Sequence, residues 1–235
     1  MEDVEGSVPV PEVAGRVFGD GLELATRFAA LLERHGVERG LIGPREVDRL
    51  WDRHLLNSAV IGERIPHGAR VVDIGSGAGL PGVPLAIARP DLDIVLVEPM
   101  ARRAEWLSEV LSALDLPATV VRGRAEERAV RDDVAGADVV TARAVAPLAK
   151  LAGWCLPLAR VGGMMLALKG SSARDEVARD AAAVAKEGGS TPVVSECGTG
   201  LLTTPTTVVI VERVKPAKAS RRRRNSGSVK PSRAG

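Results

Sequence analysis

Four glycines fall within eight residues of VVDIGSGAGLPG, residues 71–82, directly after an apolar run. That stretch limits the fold more tightly than any other. A short Val/Ile run that ends in alternating glycines reads as a buried strand turning sharply into the next element. Glycine allows the unusual dihedral angles of such a turn and leaves no side chain between the backbone and a ligand. The alternation continues along the chain. DIVLVEP, ATVVRG, ADVVTAR and MMLALKG read as further strands. Helical segments from about residue 84, over RRAEWLSEVLSALD and over residues 147–158, lie between them. ARDEVARDAAAVAKEG is a charged amphipathic helix, and the strands TPVVSEC and TTVVIVERV then follow without a helix between them, which predicts a hairpin finish. Ahead of the sheet, residues 12–35 and 46–63 read as two helices, the first with Leu22, Ala25, Ala29 and Leu32 on one face. Strands alternating with helices imply an α/β fold: a doubly wound, mostly parallel sheet of seven strands, one antiparallel, with added N-terminal helices.

The chain of 235 residues is 45% hydrophobic but only 2% aromatic, so Leu, Val and Ala must fill the core. One domain over residues 12–214 is expected, after a flexible terminus at 1–11. Residues 215–235 carry eight Lys or Arg and no acid, so the net charge of +2 hides a body of about −6. This Ser/Gly/Pro-rich tail reads as disordered. It is either a solubilising terminus or an arm for a polyanion such as RNA. Cys155 and Cys197 have no metal spacing and suggest a reducing compartment. No signal peptide, membrane span or metal cluster is visible, so a cytoplasmic, metal-free protein is expected.

In a doubly wound sheet the ligand sits beyond the carboxyl ends of the strands. Gly75, Ser76, Gly77 and Gly79 lie where the first strand turns, and Asp73 sits just inside it. Glu98 ends the second strand, where a carboxylate can accept both hydroxyls of a ribose. An adenosine-containing ligand is therefore expected. Gly77, Gly79 and Gly82 fit the dinucleotide spacing formally, but counted from Gly75 the third glycine arrives early. The nearby Asp73 suits an amine or sulfonium better than a pyrophosphate. S-adenosylmethionine is favoured over NAD. Asp73 either orients the loop amides or meets the methionine amine.

DIGSGAGLPGVPLAI resembles the glycine loop of the class I methyltransferases, and its Leu80–Pro81–Gly82 continuation resembles the bacterial RsmG (GidB) family. LWDRHLLNSAVI, VRGRAEE, VVTARAVAPLAKL and MMLALKG resemble that family's other blocks in the same order, across residues 20–213. RGLIGPREVDRLW and the basic tail depart from its common pattern. The resemblance implies the class I S-adenosylmethionine-dependent fold and methylation of N7 of one guanosine in the 530 loop of 16S ribosomal RNA. It implies cofactor contacts from Gly75, Leu80, Glu98, Ala125, Glu126 and Arg143. It places His54, Ser58, Arg124 and Lys169 around the cleft, with Arg143, Lys169 and His54 as catalytic candidates and Arg124, Lys169 and Ser58 toward substrate. The partner would be 16S ribosomal RNA or the small subunit, bound by a monomer.

Guanine N7 presents a lone pair on the major-groove edge, so transfer needs alignment rather than a general base. That accounts for the lack of an obvious acid–base constellation. The competing readings are a small-molecule or protein methyltransferase with the same cofactor site, and an RNA-binding module without activity.

Overall fold

A computed structural model describes residues 8–143 and 146–215. The expected tail lies outside these residues apart from Lys215, as do positions 1–7 of the expected flexible terminus. The seven strands are β1 (Arg70–Ile74), β2 (Asp93–Glu98), β3 (Thr119–Arg122), β4 (Ala137–Arg143), β5 (Ala159–Leu168), β6 (Val193–Cys197) and β7 (Thr206–Glu212). They lie in the order β3-β2-β1-β4-β5-β7-β6. Parallel pairing joins β3 through β5, and β7 runs antiparallel to both β5 and β6. The expected hairpin is therefore present, with the last strand inserted between two earlier ones.

Successive strand residues point to opposite faces, so each face buries its own core. Val71, Leu96, Val139 and Leu166 face a layer built from the N-terminal helices and from α4 (Gly82–Ala88) and α5 (Ala101–Leu114). Val72, Val97, Val140 and Ala167 face α6 (Arg128–Val134), α7 (Leu148–Cys155) and α8 (Ala173–Lys186). The sequence pattern had not suggested α6, whose buried apolar positions are only Val130 and Val134.

The N-terminal layer departs most from a simple helical reading. Residues 12–35 split into α1 (Val13–Phe18) and α2 (Leu22–His35). At the break Gly19 has φ +51°, and a Cβ on Gly21 would lie 2.7 Å from the Ile87 carbonyl oxygen. The chain must both turn and approach closely there. α2 buries Ala25, Phe28, Ala29 and Leu32 as one stripe. Residues 46–63 do not form a regular helix. A 3-10 turn at Pro44–Arg49 leads into a π-helical turn at Leu50–Leu56, a single α turn α3 (Asn57–Ala59) and another 3-10 turn at Val60–Arg64. The π turn buries Leu50, Trp51, His54, Leu55 and Leu56 together, a wider face than an α-helix of that length offers.

β1 is flanked by β2 on one side and β4 on the other. The connections after β1 and β4 diverge, opening a crevice at the carboxyl edge where ligands of such sheets bind.

Candidate cofactor and substrate site

Two cavities open along this edge. The first, of about 540 Å³, is lined by Gly75, Ser76 and Gly77 after β1, by Glu98, Pro99 and Met100 after β2, and by Leu41, Ile42, Gly43 and Glu46 from the N-terminal layer. His54, Ala78, Leu80, Arg103 and Arg143 complete it.

The loop is held from behind. Gly75 N–H and Ser76 N–H both donate to the Val97 carbonyl. Trp106 Nε1–H donates to the Ala78 carbonyl at 3.1 Å. Gly77 has φ +54°, and a Cβ there would meet nothing closer than the Gly75 carbonyl oxygen at 3.7 Å, so its Cα faces open space. Glu98 is buried, and its two oxygens accept from Gly77 N–H (2.9 Å) and Met100 N–H (3.0 Å). The carboxylate is thus fixed against both loops and still forms part of the cavity wall.

Asp73 and Gly79 do different work. Asp73 is fully buried and lies outside the cavity wall. Its Oδ2 accepts from Gly82 N–H and its Oδ1 from the Thr141 hydroxyl, both at 3.2 Å. The side chain thus holds a single amide, that of Gly82 where the loop enters α4. Burial raises its pKa to about 6, against the opposing pull of these hydrogen bonds. A Cβ on Gly82 would lie 2.2 Å from Leu96 Cδ2, so that glycine lets α4 sit on the sheet. Gly79 has φ +99°, and a Cβ would come within 2.8 Å of Val83 Cγ2 and 3.3 Å of Phe28 Cζ, so it packs the loop against α4 and α2.

The second cavity, of about 760 Å³, is polar and charged. Arg53, Asn57, Lys169, Ser172, Glu176 and Arg179 are among its lining residues. Lys169 is not free within it, because Nζ donates to Glu176 Oε2 (2.8 Å) and to the Ala146 carbonyl (2.9 Å). Glu176 also accepts from Leu148 N–H, while Asp180 accepts from Ala149 N–H, so α8 caps the start of α7.

Arg143, the last residue of β4, lines both cavities. Its Nη2 donates to the Arg53 carbonyl (3.0 Å) and contacts His54 Nδ1 (2.7 Å), and its Nη1 donates to Ser58 Oγ (3.3 Å). A guanidinium only donates, so His54 Nδ1 accepts and the ring proton sits on Nε2, 2.9 Å from Glu46 Oε2. Burial and the Arg143 charge lower the His54 pKa to about 4 against the pull of Glu46, keeping the ring neutral at pH 7. Both ring nitrogens are engaged, so His54 has no lone pair free to act as a base. Ser58 is fully buried behind Arg143.

Arg124, Ala125 and Glu126 are not brought into either cavity. They occupy the loop after β3, tied to the β2 end by Gly123 N–H donating to the Glu98 carbonyl at 3.2 Å. Arg124 and Glu126 are exposed there and Ala125 is buried. Conversely Leu41, Ile42, Glu46, Met100 and Arg103 line the first cavity without having been expected there. Among the described residues no group of three or more His, Cys, Asp or Glu is placed to hold a metal, and no helix is long and apolar enough to cross a membrane.

A family model described as GidB, rRNA small subunit methyltransferase G, matches residues 21–203. The chain belongs to that family. A protein of Rhodococcus jostii named ribosomal RNA small subunit methyltransferase G is 58% identical over 209 residues, covering 89% of this chain and 92% of its own. One of the same name from Salinispora arenicola is 56% identical over 234 residues, covering 94% and 96%. Among solved structures, Aeropyrum pernix fibrillarin in complex with S-adenosyl-L-methionine superposes with a TM-score of 0.51 at 19% identity, covering 68% of this chain and 74% of that one. Precorrin-6y C5,15-methyltransferase of Geobacter metallireducens gives 0.50 at 14%, covering 74% and 90%. These distant likenesses establish the class I methyltransferase fold. The GidB match covers β1 through β6 and every residue lining the first cavity.

Proposed function

We propose that this protein transfers the methyl group of S-adenosylmethionine to N7 of one guanosine in the 530 loop of 16S ribosomal RNA, acting as a monomer in the cytoplasm. The observation that carries this reading is the single guanidinium, Arg143, set in the wall between a loop-built cavity and a wider polar cleft.

The first cavity fits the cofactor. Its volume is in the usual range for small-molecule sites, about 300–1,000 Å³. Gly77 leaves the backbone open, buried Glu98 offers its remaining acceptor capacity to ribose hydroxyls, and Leu41, Ile42 and Met100 supply apolar surface. S-adenosylmethionine, when bound, supplies an electrophilic methyl carbon on a sulfonium.

The second cavity sets four cations, Arg53, Arg143, Lys169 and Arg179, and the hydroxyls of Ser172 and Thr206 beside two acids, Asp175 and Glu176, and its cations and hydroxyls are of the kind that meet RNA phosphate and sugar. The acceptor N7 already carries its lone pair, so the new C–N bond forms as the C–S bond breaks and no proton moves. Catalysis then rests on alignment and charge placement. This agrees with a site in which His54 is locked between two partners and Lys169 is paired with Glu176. Arg143 is positioned to meet either the cofactor carboxylate or the guanine edge.

Incubation with labelled S-adenosylmethionine and either bare 16S RNA or small-subunit particles tests the reading. Label at N7 of one guanosine supports it, whereas label confined to protein or metabolites overturns it. The basic tail is proposed to aid RNA capture, from its charge alone. Deleting residues 217–235 should weaken RNA association at low salt and leave cofactor binding unchanged. Equal affinity across a salt titration would count against that role.

A further inference from the structure

We infer that Glu46 is a positioning residue for the reaction: through His54 it holds the Arg143 guanidinium in the wall shared by the two cavities. The inference rests on the ribosomal-RNA reading above and adds a residue to that site.

Four observations support it. Glu46 comes from the 3-10 turn at Pro44–Arg49, eight positions before His54, and its Oε2 lies 2.9 Å from His54 Nε2. The opposite ring nitrogen is 2.7 Å from Arg143 Nη2, across 89 positions of sequence. Arg143 Nη2 also donates to the Arg53 carbonyl, and Arg53 Nε sits 3.3 Å from the same Glu46 oxygen. Finally, Glu46 lines the first cavity, Arg53 the second, and Arg143 both.

The order of donors and acceptors gives the line its direction. The guanidinium can only donate and the carboxylate can only accept, so the imidazole between them has one permitted arrangement: Nε2–H toward Glu46 and the Nδ1 lone pair toward Arg143. A carboxylate behind an imidazole N–H fixes the ring plane and makes the far nitrogen a better acceptor, as it does behind metal-bound histidines. Without Glu46 the ring can turn about χ2, and Arg143 loses its shortest contact. The guanidinium then follows Ser58 Oγ and the Arg53 carbonyl, contacts of 3.3 and 3.0 Å. Glu46 need not touch substrate or cofactor to act in this way.

Two variants and a double mutant test the assignment, read as kcat/KM for label transfer to RNA. Glu46→Ala should lower it about tenfold. Glu46→Gln, whose amide oxygen still accepts the Nε2–H, should stay within about threefold of wild type. In an H54N background the asparagine amide oxygen faces Arg143 with no tautomer to set. There, adding Glu46→Ala should cost less than about twofold, a non-additivity that a merely structural glutamate would not show. An undiminished tenfold loss in that background, or Glu46→Gln as damaging as Glu46→Ala, overturns the proposal. Independently of activity, long-range proton–nitrogen NMR of the wild-type protein should show His54 as the neutral Nε2–H tautomer from about pH 5 to about pH 8. A ring protonated on Nδ1 in that range overturns it as well. Absence of any transfer to RNA by the wild type would instead defeat the ribosomal-RNA reading, leaving the NMR result to decide the geometry.

Discussion

The two cavities that meet at Arg143 are built in opposite ways. The first sets main chain of the loop after β1, with the open Cα of Gly77, beside one acid that accepts from Gly77 N–H there and from Met100 N–H after β2. The second counts six charged residues in its wall, several already committed to ion pairs, such as Lys169 with Glu176 and Arg179 with Asp180. A wall made of backbone can present the same surface whatever the surrounding side chains do. One made of ion pairs changes shape and charge when a single partner is lost. The first therefore suits an invariant small molecule, and the second a large polyanion whose contacts are many and individually weak.

Arg143 belongs to both, and its removal should produce the largest effect. Arg143→Ala is expected to reduce methyl transfer about 100-fold, in line with the loss of alignment between cofactor and acceptor. Steady-state kinetics with RNA and cofactor varied separately checks this, and a loss seen in only one of the two KM values would assign Arg143 to one cavity alone.

The ion-paired construction of the second cavity predicts fragility. Glu176→Ala leaves Lys169, whose side chain is only 9% exposed, without its carboxylate and removes the cap on Leu148 N–H. A stability loss of about 3 kcal/mol is expected in denaturant unfolding. A loss well under 1 kcal/mol would mean that the pair is replaced by solvent without strain.

Behind the first cavity, Asp73 makes stability depend on pH. Its folded-state pKa of about 6 lies above the ordinary aspartate value of 3.8. Between these values the native protein holds a proton that the unfolded chain releases. The group's contribution is therefore fully present below about pH 4 and is lost as pH rises through about 6. Asp73→Asn cannot titrate. Relative to wild type, the variant should gain about 2 kcal/mol between about pH 4.5 and about pH 7 in urea unfolding. A difference that stays constant across that range would show that Asp73 keeps its charge throughout.

The smallest effects separate two glycines of one loop. Gly77→Ala meets open space but a left-handed backbone, a strain of about 1 kcal/mol. It should weaken cofactor binding roughly fivefold by calorimetry with a small shift in melting temperature. Gly79→Ala collides with Val83 and should lower the melting temperature more than Gly77→Ala does. Equal behaviour of the two would remove the distinction between an open and a packed glycine.

The same contrast governs how much could be read from sequence. Strand periodicity, the glycine spacing and Glu98 are local signals, and the loop, the sheet and the carboxylate at the β2 end lie where they pointed. The front of the protein was less legible. A helix over residues 46–63 was expected, but the π turn that brings His54 and Trp51 inward together has no simple period. Glu46, Leu41 and Ile42 sit in a segment without a regular period, and their place in the cavity wall appears only once that segment folds over the loop. The Arg143 contacts to His54 and Ser58 span 89 and 85 positions, and no spacing rule reaches so far. Arg103 had the weakest signal, being one arginine of a helix that otherwise reads as sheet packing. Family resemblance supplied His54, Ser58 and Arg143, but it also drew attention to Arg124 and Glu126, which the fold leaves exposed on the next loop.

The placement of β7 bears on how the molecule assembles. β6 precedes it in the chain, yet β6 has no strand neighbour except β7, which slides in against β5. Until residues 206–212 arrive, the segment 193–197 has no ladder to join, and Thr206 cannot bring its hydroxyl to Asn57 beside the charged cleft. One strand thus both joins the two halves of the sheet edge and, through the Thr206 hydroxyl on Asn57, ties that edge to the N-terminal layer beside the charged cleft.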